Sequence, residues 1–344
     1  MTSTLPSPRH PDPADAPALR WGVLGPGGIA ADFTDALHRH TGQRVVACGS
    51  RSAERARVFA EAHGVERAYG SYEELVADAE VDVVYVASPH SEHLEHALLA
   101  IAAGKHVLVE KPIAPTAAQA RAIVEAARRA GVFAMEAMWT RYLPQTDIAR
   151  QLLDDGALGE LRVVTADFGG SAAYDPESRL WNPALAGGAL LDLGVYVVSF
   201  ASFALGTPAS IIATGSLAPT GVDEQASLLL GTAGGAQALL STGLRAATPG
   251  LATICGSEAR IEFAAPFWGP SGLRLHPADG SAPLAWTDPY GRPHRDGMSY
   301  EAAALARYVA EGRAESPLHP LAEVVSTMET LDEARRQLGA TAVV

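Results

Sequence analysis

Six residues constrain this chain more than any others. Gly25-Pro26-Gly27-Gly28-Ile29-Ala30 follow an apolar run at 21–24 and open a helical pattern over 29–37. The run fits G-x-G-x-x-A between a strand and a helix. Gly25 permits a tight turn, Gly27 lets a backbone approach a pyrophosphate, and Ala30 keeps helix and sheet close. Gly28 precedes the helix that Ile29 begins, and the free N–H groups of its N-terminus are offered to the anion. Turn glycines of no special role produce the same spacing, so the strand-before, helix-after context is what points to a dinucleotide.

The next hundred residues repeat that context. Strand-like runs at 45–48, 81–87, 107–109 and 132–135 alternate with helical patterns at 53–62, 92–103 and 117–130. Such alternation predicts a parallel, doubly wound Rossmann sheet. After about Trp139 the rhythm changes. Helical segments at 143–153 and 189–203 mix with strand-like runs at 161–168, 211–215, 226–230, 236–241, 251–255 and 260–263, and helices at 300–310 and 321–336 close the chain. This pattern predicts an α+β domain with a large, mostly antiparallel open sheet. With five prolines in its first 17 residues, the N-terminus reads as a disordered tail. The expected division is a tail at 1–18, a dinucleotide-binding domain at 19–140 and a second, α+β domain at 141–344.

Composition excludes several classes. A net charge of −13 disfavours a nucleic-acid or anionic-membrane surface. No wholly apolar run reaches the roughly 18 residues of a membrane span; the longest candidate, 189–205, contains Asp192 and Gly194. Cys48 and Cys255 are the only cysteines, which fits a cytoplasmic protein without a disulfide framework. No metal site is expected.

The tip of the second strand bears on the cofactor. An NAD enzyme usually places an acid there for the ribose hydroxyls. Here the run is Cys48-Gly49-Ser50-Arg51-Ser52-Ala53-Glu54-Arg55. Ser50 can bond a 2′-phosphate, Arg51 can pair with it or stack on adenine, and Arg55 lies four residues on, on the same side. NADP is the expected cofactor; the alternative is a solvated helix start with surface arginines.

Two further segments carry reacting groups. Of 26 basic residues only Lys105 and Lys111 are lysine, and Lys111 stands in Glu110-Lys111-Pro112 at the end of the fifth strand, where ligands of such sheets sit. Its ammonium can polarise an oxygen or lower the pKa of a neighbouring acid. In Gly187-Gly188-Ala189-Leu190-Leu191-Asp192-Leu193-Gly194-Val195-Tyr196 the i, i+4 pair Asp192 and Tyr196 shares a helix face. Tyr196 could exchange a hydroxyl proton; a hydrogen-bonded core tyrosine is the plainer alternative.

Together the glycine loop, Glu110-Lys111-Pro112 and the Asp192/Tyr196 helix resemble the glucose–fructose oxidoreductase/inositol dehydrogenase family. Within it, Met135-Glu136-Ala137-Met138-Trp139-Thr140-Arg141 and the 187–196 run are similar to the dimeric dihydrodiol dehydrogenase subgroup and its NADP-dependent D-xylose dehydrogenase relatives. The resemblance implies that Lys111 and Tyr196, with Asp192, form the catalytic set, and that Ser50, Arg51 and Arg55 take the NADP phosphate. It places Ser88, Pro89, His90, His93, Glu110 and Arg141 beside the cofactor, and Trp139 and Phe168 in an aromatic substrate wall. Trp181 and Trp268 are weaker candidates for that wall. Family members acting on inositol usually carry histidine where Tyr196 stands, which argues against an NAD-linked inositol activity.

The resemblance further implies pairing through the second domain's sheet, hence a homodimer or higher homo-oligomer. The expected activity is hydride transfer between NADP and a CH–OH group of a neutral sugar, polyol or cyclic trans-diol. Arg141 and Arg179 leave an acidic substrate open. The rival readings are a non-catalytic NADP-binding sensor and a biosynthetic sugar-ketone reductase.

Overall fold

The computed structural model describes residues 4–341. By its contacts the chain divides into two units, one formed by 11–139 with 293–324, the other by 140–292 with the two chain ends.

The first unit runs β1 (Arg20–Leu24), α1 (Gly28–His40), β2 (Arg44–Gly49), α2 (Ala53–His63), β3 (Arg67–Tyr69), α3 (Tyr72–Ala77), β4 (Val83–Val86), α4 (His93–Ala102), β5 (His106–Glu110), α5 (Ala117–Ala130) and β6 (Ala134–Ala137). The six strands pair in the order β3-β2-β1-β4-β5-β6, all parallel. This is the doubly wound order, with its topological switch between β1 and β4. Local chemistry sets the ends of the helices. Ser52 and Thr116 cap α2 and α5 by accepting from Arg55 and Gln119 N–H groups, and Gly64 and Gly131 close them in left-handed conformations. Beneath α1 the Phe33 ring stacks on Tyr85 at 4.1 Å and meets Trp21 edge-on at 5.2 Å. All three side chains are fully enclosed, each worth roughly 1.5–3 kcal/mol of burial.

The second unit begins with α6 (Pro144–Asp154) and β7 (Leu161–Gly169), then α7 (Val195–Leu205), β8 (Ser210–Leu217), β9 (Asp223–Gly231), β10 (Gln237–Gly243), β11 (Ala252–Gly256), β12 (Ala259–Phe263), β13 (Gly272–Pro277) and β14 (Leu284–Thr287). Its eight strands lie in the order β14-β13-β12-β11-β7-β10-β9-β8. Only β7 and β10 pair in parallel; the sheet is otherwise antiparallel, as the sequence pattern predicts. One face is covered by α7. The other exposes Ile212, Leu229 and Leu239 at 61%, 37% and 49%, aligned across β8, β9 and β10 by their register. The apolar stretch Pro183–Leu205 has the length and composition of a membrane span, yet its most apolar part is mostly buried in this fold. Its hydrophobicity is used by the core.

Two expectations need correction. Residues 293–324, assigned by sequence to the second domain, belong with the nucleotide unit. Their helix α8 (Met298–Ala310) buries Ala302, Ala303 and Ala306 completely, the Gln43 amide donates to the Ala302 carbonyl at 3.3 Å, and Arg39 bonds Asp296 at 2.8 Å. These partners are far apart in the chain, so no local pattern announces them. The last helix, α9 (Leu321–Leu338), follows. The expected disordered tail is also structured over its described part. Arg9 grips the buried Asp147 carboxylate through its guanidinium at 2.9 Å and its backbone N–H at 2.7 Å. Asp12 caps a short helical turn at 13–15, and Ala16 packs on Ala303 and Ala306. Residues 1–3 of that tail, and 342–344, lie outside the described residues.

Candidate active site

The glycine loop lies at the carboxyl end of β1, at the switch point. Gly25 has φ +87°, and a Cβ there would sit 2.9 Å from the Ser88 nitrogen. Only glycine lets the loops after β1 and β4 come this close. Gly27 and Gly28 are exposed, and a Cβ on Gly28 would meet nothing within 4 Å. Gly27 caps α1 with no side-chain hydrogen bond, so no side chain of the cap competes for the first N–H groups of the helix, as a pyrophosphate site requires. Ala30 is fully buried beneath the turn, and Ile29 is half-buried.

At the end of β2, Ser50 is 3% exposed and its hydroxyl accepts the Ser52 N–H at 3.2 Å. Arg51 is exposed and reaches Glu92 only at 3.4 Å; Arg55 is exposed too. A strand tip with a hydroxyl, two solvent-facing guanidinium groups and no acid fits a 2′-phosphate better than a bare ribose.

After β4 the sequence expectation is only partly met. Pro89 is exposed and His90 half-buried. The Ser88 hydroxyl is engaged by His96 Nδ1 at 2.9 Å. His93 is fully enclosed, with Nδ1 2.8 Å from the Pro112 carbonyl oxygen and Nε2 2.9 Å from that of Ser88. Two facing carbonyls would suit an imidazolium, but burial pulls the pKa down to about 4, so the ring is neutral at pH 7 and donates to one of them. With both ring nitrogens facing backbone inside the protein, His93 holds loops together and is not a cofactor contact.

Lys111 follows β5, and its peptide to Pro112 is cis. Glu110 turns inward: its Oε1 accepts from the Tyr85 hydroxyl and its Oε2 from the Lys111 N–H at 3.1 Å. Burial raises the Glu110 carboxyl above the usual carboxylate range, with the Lys111 charge opposing. Its carboxyl therefore serves the Lys111 turn, not a cofactor as expected. The other lysine, Lys105, donates to the Asp78 and Val81 carbonyls at 2.7 and 2.8 Å and ties two loops.

The helix bearing Asp192 and Tyr196 starts with a wide π-type turn, Leu190–Gly194, that runs into α7; such turns are frequent at functional sites. Gly187 and Gly188 enter it. Gly188 has φ +119°, and a Cβ there would lie 2.4 Å from Asp223 Oδ1. Asp223, 1% exposed at the start of β9, accepts the Leu190 N–H at 2.6 Å. Burial pushes its pKa up to about 6, opposed by that bond and by Arg335. Asp192 bonds the exposed Arg179 at 3.0 Å.

Tyr196 is 6% exposed, and its ring centroid is 5.4 Å from that of Phe168. Phe168 is half-buried and stacks on Trp268, centroids 3.5 Å apart and planes 8° apart. Trp268, a weaker candidate by sequence, thus joins Phe168 and Tyr196 in one aromatic group. Trp181 does not. It is fully buried with Ala189, Ala218, Val222 and Leu244, its Nε1 donating to the Ala173 carbonyl at 2.8 Å; it supports the helix entry from below and cannot line a substrate pocket. Arg141 is corrected likewise. Its guanidinium donates to the Ser199 hydroxyl and carbonyl at 3.0 and 2.8 Å and lies over Phe203, so it braces α7 instead of a phosphate. In the nucleotide unit, Trp139 is 3% exposed and meets His294 edge-on at 4.9 Å.

Sequence reasoning passed over Asp223, Glu136 and Glu301. Glu136 and Glu301 are carboxyls in mainly apolar runs, and that mismatch was the available signal; Asp223, beside Glu224 and Gln225, gave none. Among the described residues no cluster of three metal-ligating side chains occurs.

Residues 19–138 match the model of an oxidoreductase family with an NAD-binding Rossmann fold, and 146–262 match the GFO/IDH/MocA C-terminal domain. Trans-1,2-dihydrobenzene-1,2-diol dehydrogenase of Xenopus tropicalis is 37% identical over 94% of this chain and 99% of its own length. The Sus scrofa enzyme of that name is 39% identical over 94% and 98%. Among solved structures, KijD10, a 3-ketoreductase from Actinomadura kijaniata in complex with NADP and TDP-benzene, superposes with TM-score 0.79 at 29% identity, covering 94% of this chain and 98% of that one. An aldose-aldose oxidoreductase from Caulobacter crescentus complexed with glycerol gives TM-score 0.82 at 25% identity over 95% and 100%.

Proposed function

The chain belongs to the GFO/IDH/MocA oxidoreductase family, and from that premise we propose that it is an NADP-dependent dehydrogenase acting on a CH–OH group of a neutral sugar, polyol or cyclic trans-diol. The bound nicotinamide supplies the hydride acceptor, or the donor in reverse. Tyr196 takes the hydroxyl proton on oxidation and returns it on reduction. Lys111 favours the ionised phenol by its positive charge. Asp192 keeps the first turn of that helix polar, and Ser50, Arg51 and Arg55 select the 2′-phosphate.

The observation that carries the reading is the setting of Tyr196: a barely exposed phenol beside the Phe168–Trp268 stack, in a chain that matches diol dehydrogenases over nearly its full length. Flat aromatic faces suit an uncharged ring. The likeness to a 3-ketoreductase favours a second direction, ketone reduction by the same groups. The exposed Ile212–Leu229–Leu239 stripe supports a homodimer built on the second unit's sheet. Two cysteines, both free, support a cytoplasmic setting.

The test is a panel of aldoses, polyols and trans-diols with NADP and NAD at alkaline pH, followed by NADPH absorbance. Lys111→Met and Tyr196→Phe should each lower kcat by roughly 10²–10⁴-fold while NADPH still binds. Turnover of no substrate, or full turnover in both variants, would leave a nucleotide-binding sensor as the better description.

A further inference from the structure

The turn after β5 is held by its own backbone. The Lys111 N–H donates to Glu110 Oε2 at 3.1 Å and the Ile113 N–H to Glu136 Oε1 at 2.8 Å. Between them, the Pro112 carbonyl oxygen faces His93 Nδ1 at 2.8 Å. Three consecutive residues are therefore fixed from β5, β6 and α4. Glu136 is 1% exposed and Ile113 fully buried, so water does not replace either partner. A carboxylate in the apolar strand Ala134–Ala137 is costly to bury. Its other oxygen lies 3.8 Å from the equally buried His319 Nδ1. Such a group persists where its hydrogen bond defines a conformation that an apolar residue would leave loose.

We infer that Glu136 is a positioning residue for Lys111, fixing the turn at Ile113 so that the ammonium is held where the reaction uses it. The inference rests on the catalytic reading of Lys111. Glu136 touches no reacting atom; it acts through the backbone. Glutamine can still accept the Ile113 N–H, whereas leucine cannot, and aspartate withdraws the oxygen by one methylene.

The experiment measures NADPH formation from trans-1,2-dihydrobenzene-1,2-diol by Glu136→Leu, Glu136→Asp and Glu136→Gln, each alone and with Lys111→Met. Active protein is counted by NADPH binding. Glu136→Leu should lower kcat about 10- to 100-fold, with NADPH affinity and substrate KM within about threefold. Glu136→Gln should restore kcat to within about threefold of the parent. In the Lys111→Met background Glu136→Leu should cost nothing more, because the group it positions is gone. Should the leucine variant not fold, the aspartate variant carries the same comparison. An unchanged kcat, an equal loss in the glutamine variant, or an undiminished further loss in the Lys111→Met background would overturn the inference while leaving Lys111 in place. Full activity of Lys111→Met alone would overturn the catalytic reading itself, and the inference with it.

Discussion

The Asp223 carboxylate accepts the backbone N–H of Leu190 at 2.6 Å, in the first turn of the helix that carries Tyr196. A sheet residue thereby sets where a proton-exchanging helix begins. Asp223→Ala strands a buried helix-start N–H group and should destabilise the protein by about 1–3 kcal/mol, with kcat falling more than KM. Asp223→Asn keeps an acceptor and should recover most of both. Gly188→Ala, with φ +119° and a Cβ 2.4 Å from Asp223 Oδ1, should mimic the alanine variant. Thermal denaturation with steady-state kinetics checks this; a fully active Gly188→Ala enzyme of parental Tm would sink it.

The tryptophans divide by burial. Trp181 is a core residue, so Trp181→Ala should cost about 3–5 kcal/mol of stability, and the milder Trp181→Phe should leave KM within about twofold. Trp268 is half-buried on Phe168. Trp268→Ala should raise KM for a ring substrate by about 5- to 10-fold, the scale of one aromatic pair, at a smaller stability cost. Urea denaturation separates the two; a Trp181→Phe enzyme with a large KM defect would return that residue to the substrate wall.

A buried acid gives a pH signature. Glu301 is 1% exposed, and one of its carboxyl oxygens has no hydrogen-bond partner. Burial first, then Glu110 and Glu136, hold its pKa well above the ordinary value. A raised folded pKa means that the contribution of Glu301 to stability is full below its unfolded pKa, about 4.3. It is lost as pH rises through the folded value. Glu301→Gln mimics the protonated form, so its stability relative to the parent should improve with pH above about 4.3, by up to about 1.4 kcal/mol per pH unit until the folded pKa is passed. Melting curves from pH 5 to 9 read this directly. Parallel curves would mean that Glu301 ionises without penalty.

Much of this was legible in the chain because the signals are local. The glycine turn, the strand-helix alternation and the lysine at a strand end all lie within short windows, and the helix expected at 117–130 has those bounds in the structure. The short β3 and α3 were missed, as were β13 and β14, because three to six residues beside a loop give little periodicity. The return of 293–324 was missed because it depends on Gln43 and Arg39 meeting α8 and the turn before it. At the site, residue type misled where a polar or aromatic side chain turns inward. His93, Glu110, Arg141 and Trp181 carry the chemistry of ligand contacts, but the fold uses all four to hold backbone or core. Sequence does not reveal which way a side chain points at a loop edge.

Cofactor choice should hinge on Arg51. Its side chain is 63% exposed and its guanidinium reaches Glu92 only at 3.4 Å, an ion pair worth about 0–1 kcal/mol at most, so a phosphate can displace the carboxylate. Charge-assisted bonds to a phosphate contribute about 1.5–3 kcal/mol, which converts to roughly 10- to 150-fold in affinity. Arg51→Ala should therefore weaken NADP by about that factor and leave NAD nearly unchanged. Ser50→Ala should weaken it less, since that hydroxyl also supports the Ser52 N–H at 3.2 Å. Glu92→Gln removes the competing acid and should tighten NADP a few-fold, by less as salt screens the pair. Fluorescence titration with both reduced cofactors at two salt concentrations measures all three variants. Equal losses for NADPH and NADH in Arg51→Ala would show that the arginine stacks on adenine and leaves the phosphate to Arg55.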